Sequence, residues 1–367
     1  INAARDNVPL ILCAGRTPVT ETGRLGSRSR YIHWAQEMFD QAAMVRETVK
    51  WDYELRFPEQ AAEVASRAYE VAMSAPRGPV YLTLPRETLA IEINPPASTP
   101  AAKAVPAAPH PDPAAIRQLA DWIDAARFPL LLTSAAGRDP AAVPRLARLA
   151  QRAAIAVVEP YARYCALPAS HGMHLGYDQS GLVREADLII SVDCDVPWIP
   201  SIEAPRDECR IVTIATDPSF QRYPLHGHRY HLGITSDSTA ALAALEYALD
   251  RTPRPPEIGA RRERIVARGR ALRERWEHDA QPGERITMAY ASRCLAEFVD
   301  DQSIVINEYP LRREQCPIET PGSYFGLSPA GGLGWGFGAA LGAKLAAPDK
   351  LVILSTVDVK GKTSPCG

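Results

Sequence analysis

The sequence lacks the features that would place the chain in a membrane or in a disulfide-bonded secreted class. It contains no apolar run of about 18 or more residues, the length that a membrane-spanning helix needs, and no charged-then-apolar leader. Its 7 cysteines lie far apart and include no C-x-x-C pair, which argues against a zinc site and against a disulfide scaffold. These absences predict a cytoplasmic protein with reduced thiols.

An excess of charge of either sign is also missing. The chain has 43 acidic and 41 basic residues, a formal net charge of -2, and its arginines are scattered. Binding to nucleic acid or to an anionic membrane surface usually depends on concentrated positive charge. The balance therefore predicts neither a nucleic-acid partner nor a membrane partner.

Apolar segments alternate with helical patterns along the 367 residues, which is typical of α/β domains with parallel sheets. We expect three successive domains of this kind, the first and third of them incomplete. The predicted divisions are a first domain at 1–95, a Pro/Ala-rich linker at 96–113, a central domain at 114–250, a charged connecting helix at 251–284 and a third domain at 285–367. The run of Arg and Glu within the connection predicts a solvated helix.

Individual elements follow from the same patterns. The predicted strands are 9–13, 80–84, 130–133, 154–158, 187–192, 211–215, 303–307 and 351–354. The predicted helices include 59–74, 143–151 and 286–298, with a further amphipathic stretch at 35–45.

A glycine-rich turn at 330–334, followed by a helical pattern to 347, is the most informative segment. Glycines at 331, 332 and 334 let the backbone approach a bulky ligand, and the N–H groups that open the following helix attract negative charge. The turn lies between two predicted strands, as in parallel α/β wiring. This context predicts a phosphate site, whereas close packing of a helix on a sheet is the plain alternative.

Several motifs stand in a definite order along the chain. They are Asn-Val-Pro-Leu-Ile-Leu-Cys-Ala-Gly at 7–15, Val-Lys-Trp-Asp-Tyr-Glu at 49–54, the segment 75–85, Pro-Gly-Ser-Tyr at 321–324, Ala-Gly-Gly-Leu-Gly at 330–334 and Ala-Ala-Leu-Gly-Ala-Lys at 339–344. Together they resemble the thiamine diphosphate-dependent enzymes, in particular benzoylformate decarboxylase and the acetolactate synthase large subunit. The early motifs are similar to the second half of that family's pyrimidine-binding domain, and the late ones to the start of its diphosphate-binding domain.

The resemblance implies an activity and an assembly. Thiamine diphosphate would bind between subunits of a homodimer or homotetramer, and a small 2-oxo acid would be decarboxylated, with aldehyde release or carboligation. The protein would supply placement and electrostatics while the cofactor serves as electron sink. The family's activating glutamate would precede residue 2, so no residue is assigned to it. Some relatives also hold a flavin or an adenine nucleotide in the central domain, which the sequence leaves open.

The resemblance also assigns candidate site residues. The predicted cofactor-binding residues are Asn307, Glu308, Gly331, Gly332, Leu333, Gly334, Trp335 and Phe337. Trp335 or Phe337 would keep the cofactor bent, unless both are ordinary core aromatics. After the strand at 303–307, relatives place small, hydroxyl or amide residues, whereas this chain has Pro310 and Leu311.

The predicted magnesium ligand is Asp358. The family's metal turn is Gly-Asp-Gly with a later Asn, and oxygen ligands of this kind suit Mg²⁺. Asp358 lacks both flanking glycines, and Lys360 follows it closely. A single-nucleotide shift of the reading frame after Thr356 would explain the loss of the motif.

Histidines supply the remaining candidates. His171 lies in a loop similar to the family's proline-x-x-histidine loop and matches a histidine that reaches the active site of benzoylformate decarboxylase, so it is the predicted catalytic residue; the alternative is a structural role. His226, His228 and His231 have no carboxylate or cysteine beside them, and we expect surface positions rather than a metal site that they would form with His174.

Two other functions stay open at this point. The chain is alternatively a truncated, non-catalytic remnant or subunit-pairing fragment, because both the activating glutamate and the metal turn are absent. A nicotinamide-dependent dehydrogenase is the remote alternative. In such an enzyme the glycine turn should follow the first strand directly, whereas here a long loop separates the predicted strand from the turn.

Overall fold

The computed structural model describes residues 1–94, 103–251 and 255–356. They form three separate sheets in which every strand pairing is parallel. The predicted fold class, successive α/β domains with parallel sheets, is confirmed. The chain divides into two compact units, one of Ile1–Ala108 with Ser328–Gly332 and the other of Pro109–Leu327 with Leu333–Gly367.

The first unit is built on a sheet of three strands in the order β1-β3-β2. Its strands are β1 (Leu10–Arg16), β2 (Trp51–Glu54) and β3 (Pro79–Pro85), and its helices are α1 (Asn2–Arg5), α2 (Ile32–Ala35), α3 (Ala61–Met73) and α4 (Arg86–Ala90). The central strand β3 is buried and packs on Ala68 and Ala72 of α3. The edge strand β1 leaves its apolar side chains partly exposed.

The amphipathic stretch predicted at 35–45 is not a continuous helix. Helix α2 ends at Ala35, and short 3-10 helices follow at Ala42–Met44 and Arg46–Thr48. The carboxylate of Asp40 accepts a hydrogen bond from the Ala43 N–H, 3.1 Å away. Such side-chain bonds to a nearby backbone offer an alternative to helix, which explains the interruption.

The central sheet has five strands in the order β5-β4-β6-β7-β8. They are β4 (Pro129–Thr133), β5 (Ala156–Val158), β6 (Leu188–Val192), β7 (Arg210–Ala215) and β8 (Leu232–Thr235), with helices α5 (Pro113–Ala125), α6 (Ala142–Ala153), α7 (Leu182–Glu185) and α8 (Ser238–Asp250). Every residue of β4, β5 and β6 is buried, as expected for parallel strands covered on both faces. This sheet holds the largest core of the described chain.

Helix α9 (Glu257–Asp279) corrects the prediction of a solvated connecting helix. Ile258, Arg261 and Ile265 on one side of it are buried and belong to the face that packs on the central domain. The Arg261 guanidinium donates to carbonyl oxygens at the C-terminal ends of α5 and α6. Because those carbonyls lack partners within their own helices, a long cationic side chain can satisfy them.

The third sheet has the order β10-β9-β11, with β9 (Ser303–Asn307), β10 (Tyr324–Gly326) and β11 (Leu351–Ser355). Its helices are α10 (Met288–Ala296) and α11 (Trp335–Ala346). Asn307 lies opposite Ser355, so β9 and β11 end side by side. The core of this sheet includes Cys165 of the central domain, which makes the two parts continuous.

None of the helices in the described ranges combines the length and the apolar character that a membrane crossing requires.

Candidate functional site

Glu308 links the three elements that surround the predicted phosphate site. It follows β9 directly, and its side chain is only 2% exposed. Its carboxylate accepts hydrogen bonds from the Gly334 N–H at 3.0 Å and the Gly336 N–H at 2.7 Å, at the start of α11. The Thr356 hydroxyl, just beyond β11, donates to the same carboxylate at 3.0 Å. Glu308 therefore fastens the glycine turn to the carboxyl edge of the sheet.

The surroundings keep Glu308 ionised. Burial by itself raises the pKa of this carboxyl, but hydrogen bonds from Gly334, Gly336 and Thr356 outweigh it and hold the pKa below its usual range. A negative charge at a helix N-terminus is further favoured by the helix dipole. The carboxylate is thus a built-in anion at the position where the sequence predicts a phosphate.

The bonds to Glu308 affect how the N-terminus of α11 can bind a diphosphate. A phosphate group at the first turn of α11 would meet the Glu308 carboxylate, and two of the N–H donors it would use are already engaged. The first turn of α11 therefore offers a diphosphate fewer free N–H donors than an uncapped helix end would. The assignment of Glu308 to a cofactor stays a prediction, while its observed partners are two backbone N–H groups and the Thr356 hydroxyl of its own chain.

Gly336 is a position of the candidate site that the sequence analysis did not single out. A Cβ atom there would lie 2.8 Å from Leu354 Cδ1 and 3.0 Å from Glu308 Oε2. A side chain at this position would therefore displace Leu354 or the Glu308 carboxylate. The signal was present in the motif, because Gly336 belongs to the glycine series that opens α11.

Two other glycines of the turn, Gly331 and Gly334, lie in open space. Gly331 and Gly334 adopt left-handed φ angles of 65° and 91°, and no heavy atom lies within 4 Å of a Cβ built at either position. Gly332, which falls in the first compact unit, accepts a hydrogen bond on its carbonyl from the Asn2 side chain at 2.8 Å. The turn therefore needs glycine for its backbone conformation at two positions.

Three apolar residues follow from the turn into α11. Leu333 is 63% exposed and Phe337 is 57% exposed, whereas Trp335 is half-buried. The alternative that Phe337 is a core aromatic is therefore wrong. Leu333 and Phe337 present apolar surface that a ring system could contact, and the cofactor role of these three residues stays a prediction.

Asn307 closes the loop that follows β9. Its amide donates to the Leu311 carbonyl at 2.9 Å and to the Tyr324 hydroxyl at 3.0 Å, and its oxygen accepts from the Leu311 N–H at 3.2 Å. The side chain is thus engaged in shaping the loop around Pro310. A contact between Asn307 and a cofactor stays a prediction.

His171 is half-buried and makes local contacts. Its Nδ1 accepts a hydrogen bond from the Met173 N–H at 3.2 Å. Burial, and to a lesser degree His174, lower its pKa, so the ring is neutral at neutral pH. Its hydrogen bond to Met173 lies within its own loop, and its catalytic role stays a prediction.

The other histidines have defined hydrogen-bond partners. His174 is 1% exposed and bonds Glu159 at 2.9 Å. His226 and His228 are half-buried rather than at the surface, and donate to backbone carbonyl groups at 2.7 and 2.8 Å. Within residues 1–94, 103–251 and 255–356, no group of three or more His, Cys, Asp or Glu side chains could hold a metal ion. Asp358 lies outside the described residues.

The carboxyl edge of the central sheet carries side chains that bond one another. Arg163 donates to Asp195 at 3.1 Å, and the Tyr223 hydroxyl donates to the other oxygen of Asp195 at 2.5 Å. In open α/β sheets ligands bind beyond this edge. A flavin or adenine nucleotide there stays an open prediction.

Comparison with known proteins shows what the chain is similar to. Residues 116–245 match the family model described as "Thiamine pyrophosphate enzyme, central domain". The chain is similar to thiamine diphosphate-dependent enzymes in this domain. The match confirms the resemblance predicted from the motifs, and it lies on the five-stranded sheet.

Individual relatives cover nearly the whole chain. Benzoylformate decarboxylase of Pseudomonas aeruginosa is 27% identical over 368 residues, which span 96% of this chain and 64% of that protein. The acetolactate synthase isozyme 1 large subunit of Escherichia coli is 26% identical over 373 residues, 97% of this chain and 62% of that protein. The chain therefore spans less than two thirds of the length of these relatives.

Solved structures show the same fold. The crystal structure of benzoylformate decarboxylase from Polynucleobacter necessarius matches 99% of this chain and 66% of its own, with a TM-score of 0.73 and 21% sequence identity. A putative thiamin diphosphate-dependent enzyme from Mycobacterium smegmatis matches equally well, with a TM-score of 0.73 and 21% identity, over 97% of this chain and 67% of its own.

Proposed function

We propose that this chain is part of a cytoplasmic enzyme that decarboxylates a small 2-oxo acid with thiamine diphosphate and magnesium. The proposal covers both release of the aldehyde and its transfer to a second carbonyl compound, because a decarboxylase and a synthase are both among the relatives. It also includes a homodimer or homotetramer as the working assembly. When bound, the cofactor supplies the electron sink for loss of carbon dioxide.

The observation that carries the proposal is the junction of β9, β11 and α11 at Glu308. Ligands of open parallel sheets bind beyond the carboxyl ends of the strands, and here two neighbouring strands end together. Glu308 holds the glycine turn against this edge, with Leu333 and Phe337 exposed beside it. In the proposal these two side chains contact the rings of the cofactor, and Asp358 is the magnesium ligand.

The first test is binding of thiamine diphosphate to the full chain, measured by titration calorimetry with and without Mg²⁺. We expect magnesium-dependent binding that weakens in Leu333→Ala. Burial of a leucine side chain contributes about 1.5–3 kcal/mol, which corresponds to roughly 10- to 150-fold in the dissociation constant. Leu345→Ala is the matched control, since this leucine is exposed on the same helix, beyond its midpoint.

Two outcomes would contradict the proposed site. One is a folded chain, verified by circular dichroism, that does not bind the cofactor at all. The other is binding that Leu333→Ala and Leu345→Ala affect equally. Release of carbon dioxide from benzoylformate and from pyruvate then measures turnover in a binding-competent preparation.

A second candidate is a non-catalytic chain that folds and pairs with other subunits. It is favoured by the engagement of the α11 N–H groups with Glu308, which leaves fewer donors for a diphosphate. Under this candidate, cofactor binding is weak or absent in calorimetry, while sedimentation still detects an oligomer. Tight magnesium-dependent binding with turnover would exclude it.

A further inference from the structure

A buried group of charged and aromatic side chains joins the central sheet to the loop after β9. Glu159 is 0% exposed, His174 is 1% exposed and Arg313 is 5% exposed. Nη1 of Arg313 donates to Oε2 of Glu159 at 3.3 Å. The guanidinium carbon of Arg313 lies 4.4 Å from the ring centroid of Tyr177 and 4.4 Å from that of Tyr324. A planar cation held between two aromatic faces is fixed in orientation as well as in position.

The hydrogen bonds define the charge state of the group. The Nδ1 atom of His174 accepts from the Gly176 N–H at 3.1 Å, so Nε2 carries the proton and donates to Glu159. Glu159 also accepts from the Ala166 N–H at 2.8 Å. Burial alone raises the pKa of Glu159, but Arg313 and His174 hold it below its usual range. The group is thus a neutral histidine beside a buried pair of opposite charges.

A chain of direct contacts leads from Arg313 to Glu308. Arg313 stacks on Tyr324, whose hydroxyl accepts from the Asn307 amide at 3.0 Å. Asn307 is the residue before Glu308, and Glu308 holds the N–H groups of Gly334 and Gly336. Apart from the peptide link between Asn307 and Glu308, each step in this series is a packed or hydrogen-bonded contact between fully or partly buried groups.

We propose that Arg313, held by Glu159, is a positioning residue that fixes Tyr324 and Asn307 and thereby keeps Glu308 on the glycine turn. The central domain then contributes to the geometry of a site it does not touch. The consequence for cofactor affinity rests on the proposed function. The effect on the glycine turn does not, because it follows from contacts within the chain.

The test is hydrogen exchange by mass spectrometry on the full chain, comparing peptides that contain the Gly334 and Gly336 amides. In Arg313→Met we expect exchange of this segment to rise at least about tenfold, while strand β6 keeps its wild-type protection. The double variant Glu159→Gln/Arg313→Met should recover part of the protection, because it no longer leaves the Glu159 charge buried and unpaired.

Glu319→Gln is the matched control. Glu319 accepts two hydrogen bonds from Ser170, at 3.0 and 2.7 Å, and so joins the same two parts of the chain through a separate contact. In Glu319→Gln, hydrogen exchange of the glycine turn should equal that of the wild type. Arg313→Lys keeps the charge but not the planar stack, so its exchange rate in the glycine turn should lie between those of wild type and Arg313→Met. It replaces Arg313→Met in the test if the methionine variant does not fold.

The outcomes separate this proposal from the proposed function. The positioning role would be overturned if the glycine turn exchanged equally fast in Arg313→Lys and wild type. It would also be overturned if exchange in the variant rose as much in strand β6 as in the glycine turn. If thiamine diphosphate binds none of the variants, the exchange result still decides the role of Arg313. If the cofactor binds wild type and Arg313→Lys with equal affinity although the variant exchanges faster, the inferred effect of Arg313 on cofactor binding is wrong.

Discussion

Replacing Glu308 with glutamine gives the sharpest test of the site's construction. The carboxylate accepts bonds at 3.0, 2.7 and 3.0 Å from Gly334, Gly336 and Thr356. A glutamine amide has one acceptor oxygen, so the change removes one charge-assisted bond, about 1.5–3 kcal/mol, and the favourable charge at the helix end, about 0.3–1 kcal/mol. We expect Glu308→Gln to lower the free energy of unfolding by about 2–4 kcal/mol at neutral pH.

The pH dependence follows from the direction of the pKa shift. The folded-state pKa of Glu308 lies below its ordinary value of 4.5, so its contribution is fully present above that value and is lost as pH falls through the lowered pKa. The difference in the free energy of unfolding between wild type and Glu308→Gln should therefore be constant from about pH 7 to about pH 5 and shrink in more acidic solution.

Urea unfolding followed by tryptophan fluorescence measures both effects, with half-buried Trp335 as a reporter beside the site. Glu297→Gln is the matched control, because Glu297 is an exposed carboxylate of the same domain. A loss below about 0.5 kcal/mol in Glu308→Gln, no larger than in the control, would refute the conclusion that this carboxylate fastens the turn.

Three further substitutions test other parts of the structure. Gly334→Ala should destabilise the protein by about 1–2 kcal/mol, because Gly334 has a left-handed φ. Gly338→Ala, in the open interior of α11, should stabilise it by about 0.5–1 kcal/mol. Equal effects of the two variants in thermal unfolding would contradict this. Arg261→Met should lower the free energy of unfolding, measured with urea, by about 2–4 kcal/mol, because carbonyl groups at two helix ends lose their donor. Arg264→Met, at an exposed position of the same helix, should lower it by less than about 0.5 kcal/mol. Leu132→Ala, in a fully buried strand, should cost about 2–5 kcal/mol, and a smaller loss would show that the central core relaxes around the cavity.

The elements that sequence patterns predicted best are those with long apolar runs. Strand β9 has its predicted bounds, and β11 and α3 differ from theirs by a residue or two at an end. Strands β2, β8 and β10 were not predicted. They have three or four residues, and β8 and β10 each contain a glycine, so pairing with a neighbouring strand rather than local pattern determines them.

The contacts around the glycine turn were not predictable from the sequence. The glycines and Glu308 were predicted to bind the cofactor, which stays a prediction, and no local pattern indicates that a carboxylate after β9 bonds N–H groups 26 and 28 positions later. The same limit applies to Arg261, which a charge-rich segment predicts to be solvated. Its partners become visible only when α9 lies against the ends of α5 and α6.

The Glu308 contact has a consequence for the thermodynamics of any ligand that reaches the turn. Fixing the backbone of a loop costs about 1–2 kcal/mol per residue in conformational entropy. Because the carboxylate orders Gly334–Gly336 during folding, that cost does not fall on the binding step. Ligand association at this edge should accordingly show a small ordering entropy, as for a rigid, preorganised receptor rather than a loop that folds around its guest.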